Sequence, residues 1–396
     1  MSKKKILFIN SVCGFGSTGR IVVDLANNKN FETKIIYGRN KNITDYKNAV
    51  KFNNYLDTLL SMVKTIVLNN NLNLCKNSTI KLIDEIKKFN PDLIHLHNLH
   101  GYYINIELLF DFLSEYNKPV VWTFHDCWPY TGYCCYYDNI NCNNFENGCL
   151  NCKHGFSYPF SIFKQNIKSE YIKKKELFTR IKNLTIITPS TWLKKEVCKS
   201  FFKDNKIEVI NNGIVLPHFE NKTKKANKIK VLAVANIWTI EKGIKELVGI
   251  VNELDNDIEI TVVGKMSMKY RNILKKRCTL IKRTNNKDEL NKLYYSHDVF
   301  INPTLQDNFP TVNIESISCG TPIITYNTGG SVEVINNETG IVIKKRDKHS
   351  FAKEINNLKN NYSFVSKNIM EFSKIYSKDK MLEKYNKLYL DLIEGR

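Results

Sequence analysis

The stretch NPTLQDNFPTVNIESISCGTPIITYNTGGSVEVI, residues 302–335, decides the fold. It continues a short apolar run, DVFINPT (298–304), and contains a second one, PIITYN (322–327). Runs this short, rich in β-branched and aromatic side chains, read as strands buried on both faces. Between them a polar loop ends at Pro310, a helix begins near Thr311, and Cys319-Gly320 stops it. Strand, helix and strand within about thirty residues make a crossover unit, which joins parallel strands.

The same alternation extends outward in both directions. Upstream strands are expected at KILFIN (5–10), TKIIYG (33–38), DLIHLH (92–97), PVVWTFH (119–125), LTIITPS (184–190) and IEVIN (207–211). Helical periodicity fills the gaps, as in TIKLIDEIKKF (79–89) and INIELLFDFLSEY (104–116). The pattern breaks at the polar, basic LPHFENKTKKANK (216–228), read as a linker. A second series follows: IKVLAVA (229–235), IEITVVG (258–264), TLIKR (279–283), DVFINPT, PIITYN and GIVI (340–343). The expectation is an α/β protein of two doubly wound, Rossmann-like domains, 1–215 and 229–378, with a last helix over 379–396 packing back on the first. Ligands of such sheets bind at the carboxyl ends of the strands, which makes the cleft between two such domains the expected site.

Composition agrees with two soluble domains. The chain has 396 residues, 42% of them apolar and 25% charged. No apolar run approaches the ~18 residues of a membrane span. The first run, ILFI, is too short for a signal peptide. A cytoplasmic location follows as the expectation, and there thiols stay reduced. The formal charge of +20 attracts anions. Solvated lysines on helix faces account for it, or contact of IKSEYIKKKELF (167–178) and the C-terminal stretch 377–396 with an anionic membrane surface, or nucleic acid.

The helix start near Thr311 is a ready anion site, because its first backbone N–H groups lack partners within the helix. Asp307 and Glu315 lie on either side of it and, when ionised, only accept hydrogen bonds. That suits a ligand with hydroxyls at both ends and phosphates between, a nucleotide sugar. On the residues alone, a capped helix with a Cys-Gly stop explains the stretch equally well.

The stretch resembles the donor-site signature of the family 4 retaining glycosyltransferases of the GT-B fold. That signature is an acidic residue, seven others, a Glu, a Cys-Gly-x-Pro turn and a Gly-Gly-x-x-Glu element. Here they are Asp307, Glu315, Cys319-Gly320-Thr321-Pro322 and Gly329-Gly330-Ser331-Val332-Glu333. The resemblance implies that Asp307 contacts the donor sugar and Glu315 the nucleotide ribose. It brings the backbone of Asn308, Phe309, Pro310 and Thr311 to sugar and diphosphate. The family's first acid is usually Glu, one methylene longer than Asp307. In VLAVANIWTIEKGIKELV (231–248), Lys242-Gly243 opening a helix resembles the element that grips the diphosphate. A cation there meets the charge that develops on the leaving group. The family's Arg, a few residues earlier, is absent; Asn236 and Trp238 occupy that region, and Lys265 is the candidate substitute.

In the N-terminal half, CGFGSTGRIVVDLA (13–26) is a glycine-rich turn opening a helix, without the Gly-Lys-Ser/Thr of a P-loop. The resemblance places Gly16, Ser17, Gly19 and Arg20 on the acceptor side, although a surface arginine also explains Arg20. In HLHNLHGYYIN (95–105) and WTFHDCWPYTGYC (122–134), His95 alternates into the core, while His97, His100, His125 and Asp126 fall at strand carboxyl ends. The resemblance makes His125 a donor-sugar contact and Asp126 its acceptor-side neighbour. With Trp128 and Gly132, the arrangement is similar to the bacterial capsular and exopolysaccharide branch of the family.

The loop that follows, within 127–155, holds Cys134, Cys142, Cys149 and Cys152. It has too few apolar residues to pack itself. Four thiolates ending in a C-x₂-C knuckle suit a structural zinc. Reduced packing thiols or a disulfide are the alternatives, and Cys127 and Cys135 are alternate ligands. The chain is thus expected to move a sugar from a nucleotide-diphosphate-sugar to a lipid-linked or saccharide acceptor. No cofactor for catalysis and no nucleic acid are expected. An epimerase or phosphorylase of the same fold, or a basic zinc-containing nucleic-acid-binding protein, are the competing readings.

Overall fold

The computed structural model describes residues 3–40, 44–53, 55–68, 72–150, 152, 167–219 and 228–396. These form two compact units: the chain to Asn211 together with Met381–Arg396, and Asn212–Lys380.

The first unit is built on seven strands: β1 (Lys5–Asn10), β2 (Glu32–Tyr37), β3 (Ala49–Lys51), β4 (Leu93–Leu96), β5 (Val120–Thr123), β6 (Leu184–Thr188) and β7 (Lys206–Val209). They pair in parallel in the order β3-β2-β1-β4-β5-β6-β7. Ile6, Leu7, Phe8 and Ile9 of β1 are fully buried, as a strand covered on both faces requires. The short β3 has no buried residue and lies at the sheet edge, so its sequence AVK carries no apolar run to announce it. The helix Lys378–Glu394 covers one face of this sheet. Its Met381, Tyr385, Leu388 and Tyr389 form an i, i+4, i+7, i+8 stripe that packs with Phe8, Ile35 and Leu93.

The second unit has six parallel strands: β8 (Lys230–Ile237), β9 (Glu259–Lys265), β10 (Thr279–Ile281), β11 (Val299–Asn302), β12 (Ile323–Tyr326) and β13 (Gly340–Ile343). Their order is β10-β9-β8-β11-β12-β13. This unit begins earlier than the sequence reading placed it. Leu216 and Phe219, assigned to the linker, pack on its core, and Phe219 stacks on Tyr295 with ring centroids 4.4 Å apart. The rest of that linker, 220–227, lies outside the described residues.

In each sheet the strand order reverses at one place, between β1 and β4 and between β8 and β11. Loops leaving the carboxyl ends of such strand pairs diverge to opposite faces and open a crevice. Among the described residues no helix is long and apolar enough to cross a membrane.

Candidate active site

In the second unit, the loops after β8 and β11 meet because their strands are neighbours at the reversal point. The Leu305 N–H donates to the Glu241 carbonyl at 2.8 Å. Gly243 has φ +80°, and a Cβ there would lie 1.9 Å from the Pro303 carbonyl oxygen. Only glycine permits that approach, which carries Lys242 to the second loop. There the Lys242 ammonium is 2.6 Å from the Asp307 carboxylate. Gly329 does the same on the other side of Asp307: at φ +51°, a Cβ would lie 2.0 Å from the Asp307 carbonyl oxygen. The Gly-Gly element of the sequence is therefore a backbone clamp on the loop carrying the first acid.

The helix Thr311–Ser318 follows directly. Pro310 stands at its N-cap and offers no side-chain hydrogen bond to its first N–H groups. Asn308 and Phe309 are buried. Glu315 is one turn into this helix with its side chain 10% exposed, and Lys287 lies 4.0 Å from its carboxylate. The structure thus brings Lys242, Asp307, the uncapped helix start and Glu315 together along one loop and helix. Lys265 ends β9 beside Ile237 and is exposed.

In the first unit, β1, β4 and β5 are adjacent. The turn after β1 is held by the Gly14 N–H on the Gly19 carbonyl, 3.1 Å. Gly16, Ser17 and Arg20 are exposed on it, while Gly19 is buried beneath. The Arg20 Nε donates to the Gly16 carbonyl at 3.1 Å. His97 follows β4, and His125 follows β5. His97 Nδ1 and His125 Nε2 are 3.0 Å apart. Burial holds both imidazoles neutral: His97 falls well below the usual histidine range, and His125 is lowered to about 4. Asp126 pairs with His100 Nε2 at 2.7 Å and accepts the Trp128 N–H at 2.9 Å. Burial pushes its carboxyl up, but His100 and the Trp128 N–H outweigh that and hold it below the usual range. His95 is a core residue, as expected, bonded to the Tyr389 hydroxyl at 2.7 Å and to Thr123 at 2.8 Å.

The loop cysteines are free thiols. Cys134 has Cys149, Cys152 and Cys142 as electrostatic neighbours, and Cys149 accepts the Gly132 N–H at 3.1 Å. Among the described residues, the metal-capable groups that gather within 4.8 Å of one another are instead His100, Asp126 and Cys135. The direct Asp126–His100 bond already occupies two members of that trio.

Residues 228–361 match the family described as Glycosyl transferases group 1, and residues 63–216 match Glycosyltransferase Family 4. Anabaena HepE, solved in complex with UDP-glucose, has the same fold, with a TM-score of 0.65 at 13% identity over 98% of this chain and 100% of that one. The chain belongs to the GT-B glycosyltransferases. WcaC of Escherichia coli (strain K12), named for colanic acid biosynthesis, is 25% identical to this glycosyltransferase over 321 residues, 76% of this chain and 77% of WcaC. The capsular polysaccharide biosynthesis glycosyltransferase CapM of Staphylococcus aureus is 30% identical over 202 residues, 45% of this chain and 53% of CapM.

Three residues of the glycosyltransferase carry more than their sequence reading gave them. His97 was placed at a strand end but not against His125; only the neighbouring positions of β4 and β5 bring the two together. Lys287 is remote in sequence from Glu315. Lys174 sits in the basic stretch 167–178, read as surface. It is fully buried, because Ile167, Glu170, Tyr171, Lys174, Leu177 and Phe178 form the inward stripe of that helix. Lys168 and Lys175 of the same helix stay exposed. The apolar stripe of the C-terminal helix packs in the core, as its expected return to the first unit requires.

Proposed function

We propose that this glycosyltransferase moves a sugar from a nucleotide-diphosphate-sugar to a lipid-linked or saccharide acceptor in surface polysaccharide biosynthesis, with retention of anomeric configuration. The observation that carries this reading is the Lys242–Asp307 pair beside the uncapped start of the helix bearing Glu315. A diphosphate at the helix start meets backbone N–H groups and the Lys242 ammonium. It gives Lys242 a second anion and releases the Asp307 carboxylate to accept from a sugar hydroxyl. Glu315 accepts from the ribose. As the glycosidic bond breaks, negative charge grows on the diphosphate, and Lys242 and the N–H groups stabilise it most at that moment.

His125, neutral at physiological pH, orients the sugar. No protein nucleophile takes part; the leaving diphosphate assists the incoming hydroxyl on the same face. The relatives' names support surface polysaccharide as the product, and the UDP-glucose complex of HepE supports the donor class. The test is stabilisation of the protein by a nucleoside diphosphate and its loss in Glu315→Ala.

Membrane contact is assigned to the helix Tyr55–Leu68 rather than to the basic stretches. Leu56 and Leu60 are 67% and 61% exposed, with Leu59, Met62 and Val63 exposed beside them. An apolar patch of this size on a protein of net charge +20 fits the surface of an anionic bilayer, where a lipid-linked acceptor resides. The protein is expected to co-sediment with vesicles containing phosphatidylglycerol and not with phosphatidylcholine alone. Leu60→Glu is expected to reduce that binding; an unchanged variant would remove the helix from the account.

A further inference from the structure

We infer that His97 is a positioning residue that fixes the tautomer of His125, with the His125 proton on Nδ1. The two rings are nearly parallel, 18° apart, with centroids 5.3 Å apart and the facing nitrogens at 3.0 Å. In that geometry a nitrogen of one ring points at a nitrogen of the other, so the contact is an N–H···N hydrogen bond that holds one proton. The backbone of His97 is itself fixed, because the Trp122 indole N–H donates to its carbonyl at 2.9 Å. Its ring is confined by His95, 4.1 Å away between centroids.

Each ring carries one proton, because burial keeps both neutral. Two arrangements are then open. In one, His125 Nε2–H donates to His97 Nδ1 and the His97 proton sits on Nε2. His97 is 1% exposed and its Nε2 has no hydrogen-bond partner among the described residues, so that arrangement buries an orphaned N–H. Native structures almost never keep one. In the other, His97 Nδ1–H donates to His125 Nε2, and the bare His97 Nε2 is a lone pair, the milder deficit. The second arrangement wins, and it puts the His125 proton on Nδ1.

The chemical consequence rests on His125 being a donor-sugar contact. Its Nε2 lone pair is spent on His97, so His125 meets the sugar only as a hydrogen-bond donor. It does not act as a base for the acceptor hydroxyl, which agrees with proton transfer to the leaving diphosphate. His97, which contacts no reacting atom in this account, sets that property at one remove.

The test is two-bond ¹H–¹⁵N correlation on full-length protein labelled at histidine, without donor. Both His97 and His125 are expected as Nδ1–H tautomers; His125 as the Nε2–H form overturns the inference. His97→Leu removes the hydrogen bond donated to His125 Nε2, and that nitrogen's ¹⁵N resonance is expected to move to the position of an unbonded lone pair, with kcat lowered about tenfold. His97→Asn keeps an amide N–H near the Nδ1 position and is expected to restore the bonded resonance and most of the rate. An unbonded Nε2 resonance with unchanged kcat would uphold the proton assignment and overturn the sugar-contact role of His125. If His97→Leu does not fold, the wild-type spectrum still decides the assignment.

Discussion

Replacing Lys242 by methionine is expected to lower kcat by about 10²- to 10³-fold, the usual cost of removing one group that stabilises developing charge. Methionine keeps the length and most of the apolar stem, so the loss isolates the ammonium. The Lys242 side chain is 43% exposed, and Asp307 is its recorded ion-pair partner. A partly exposed pair of this kind contributes little to folding, and the melting temperature is expected to move by only a degree or two. Lys245, exposed on the following helix, is the matched control, and Lys245→Met is expected to leave kcat unchanged. Equal, small effects at the two positions would show that Lys242 is one more solvated lysine of a basic protein. The same assay reports stereochemistry, because the wild-type product is expected to keep the donor's anomeric configuration by NMR.

The second large effect is expected at the cysteine loop. We propose that Cys134, Cys142, Cys149 and Cys152 bind one zinc per chain, which draws these neighbouring sulfurs into one shell and orders the loop. The structural support is charge. Lys174 is fully buried, donates to the Trp128 and Thr131 carbonyls at 2.9 and 3.1 Å, and lies 3.7 Å from the Trp128 ring. Its electrostatic neighbours are the Glu170 carboxyl and the Cys134, Cys135 and Cys149 sulfurs. A buried ammonium suits a thiolate–metal centre, which carries net negative charge. Elemental analysis of protein purified without chelator is expected to find about one zinc per chain, and Cys149→Ser to lose most of it together with several degrees of melting temperature. Metal-free protein that melts like the wild type and offers all its loop thiols to a thiol reagent would return these cysteines to ordinary packing.

The sequence made the parallel sheets legible because every strand but one falls within a short apolar run. β3 escaped because two half-exposed residues and an exposed lysine at an edge carry no such signal. The juxtaposition proposed as the donor half was legible because its parts lie on one continuous stretch, Asp307 on the loop and Glu315 one turn into the helix that follows. Lys242 was legible through Gly243, a residue whose need appears only as a close approach to Pro303. What the sequence concealed depends on strand order. His97 and His125 are 28 residues apart and meet because β4 and β5 are neighbours. Lys174 was concealed by its flanks, since a run of three lysines reads as solvated until the helix's inward stripe is known. The linker was misread at Leu216 and Phe219 because two apolar residues in a basic segment show no period, although both pack.

The most direct test of the donor site is thermal shift with a panel of nucleoside diphosphates and nucleotide sugars on wild type and Glu315→Ala. The account predicts that one nucleoside diphosphate class raises the wild-type melting temperature by several degrees, and that Glu315→Ala binds it about 10- to 100-fold more weakly, the loss of a charged hydrogen bond to the ribose. Folded wild-type protein that no nucleotide stabilises, or a Glu315→Ala variant that responds as the wild type does, would contradict it.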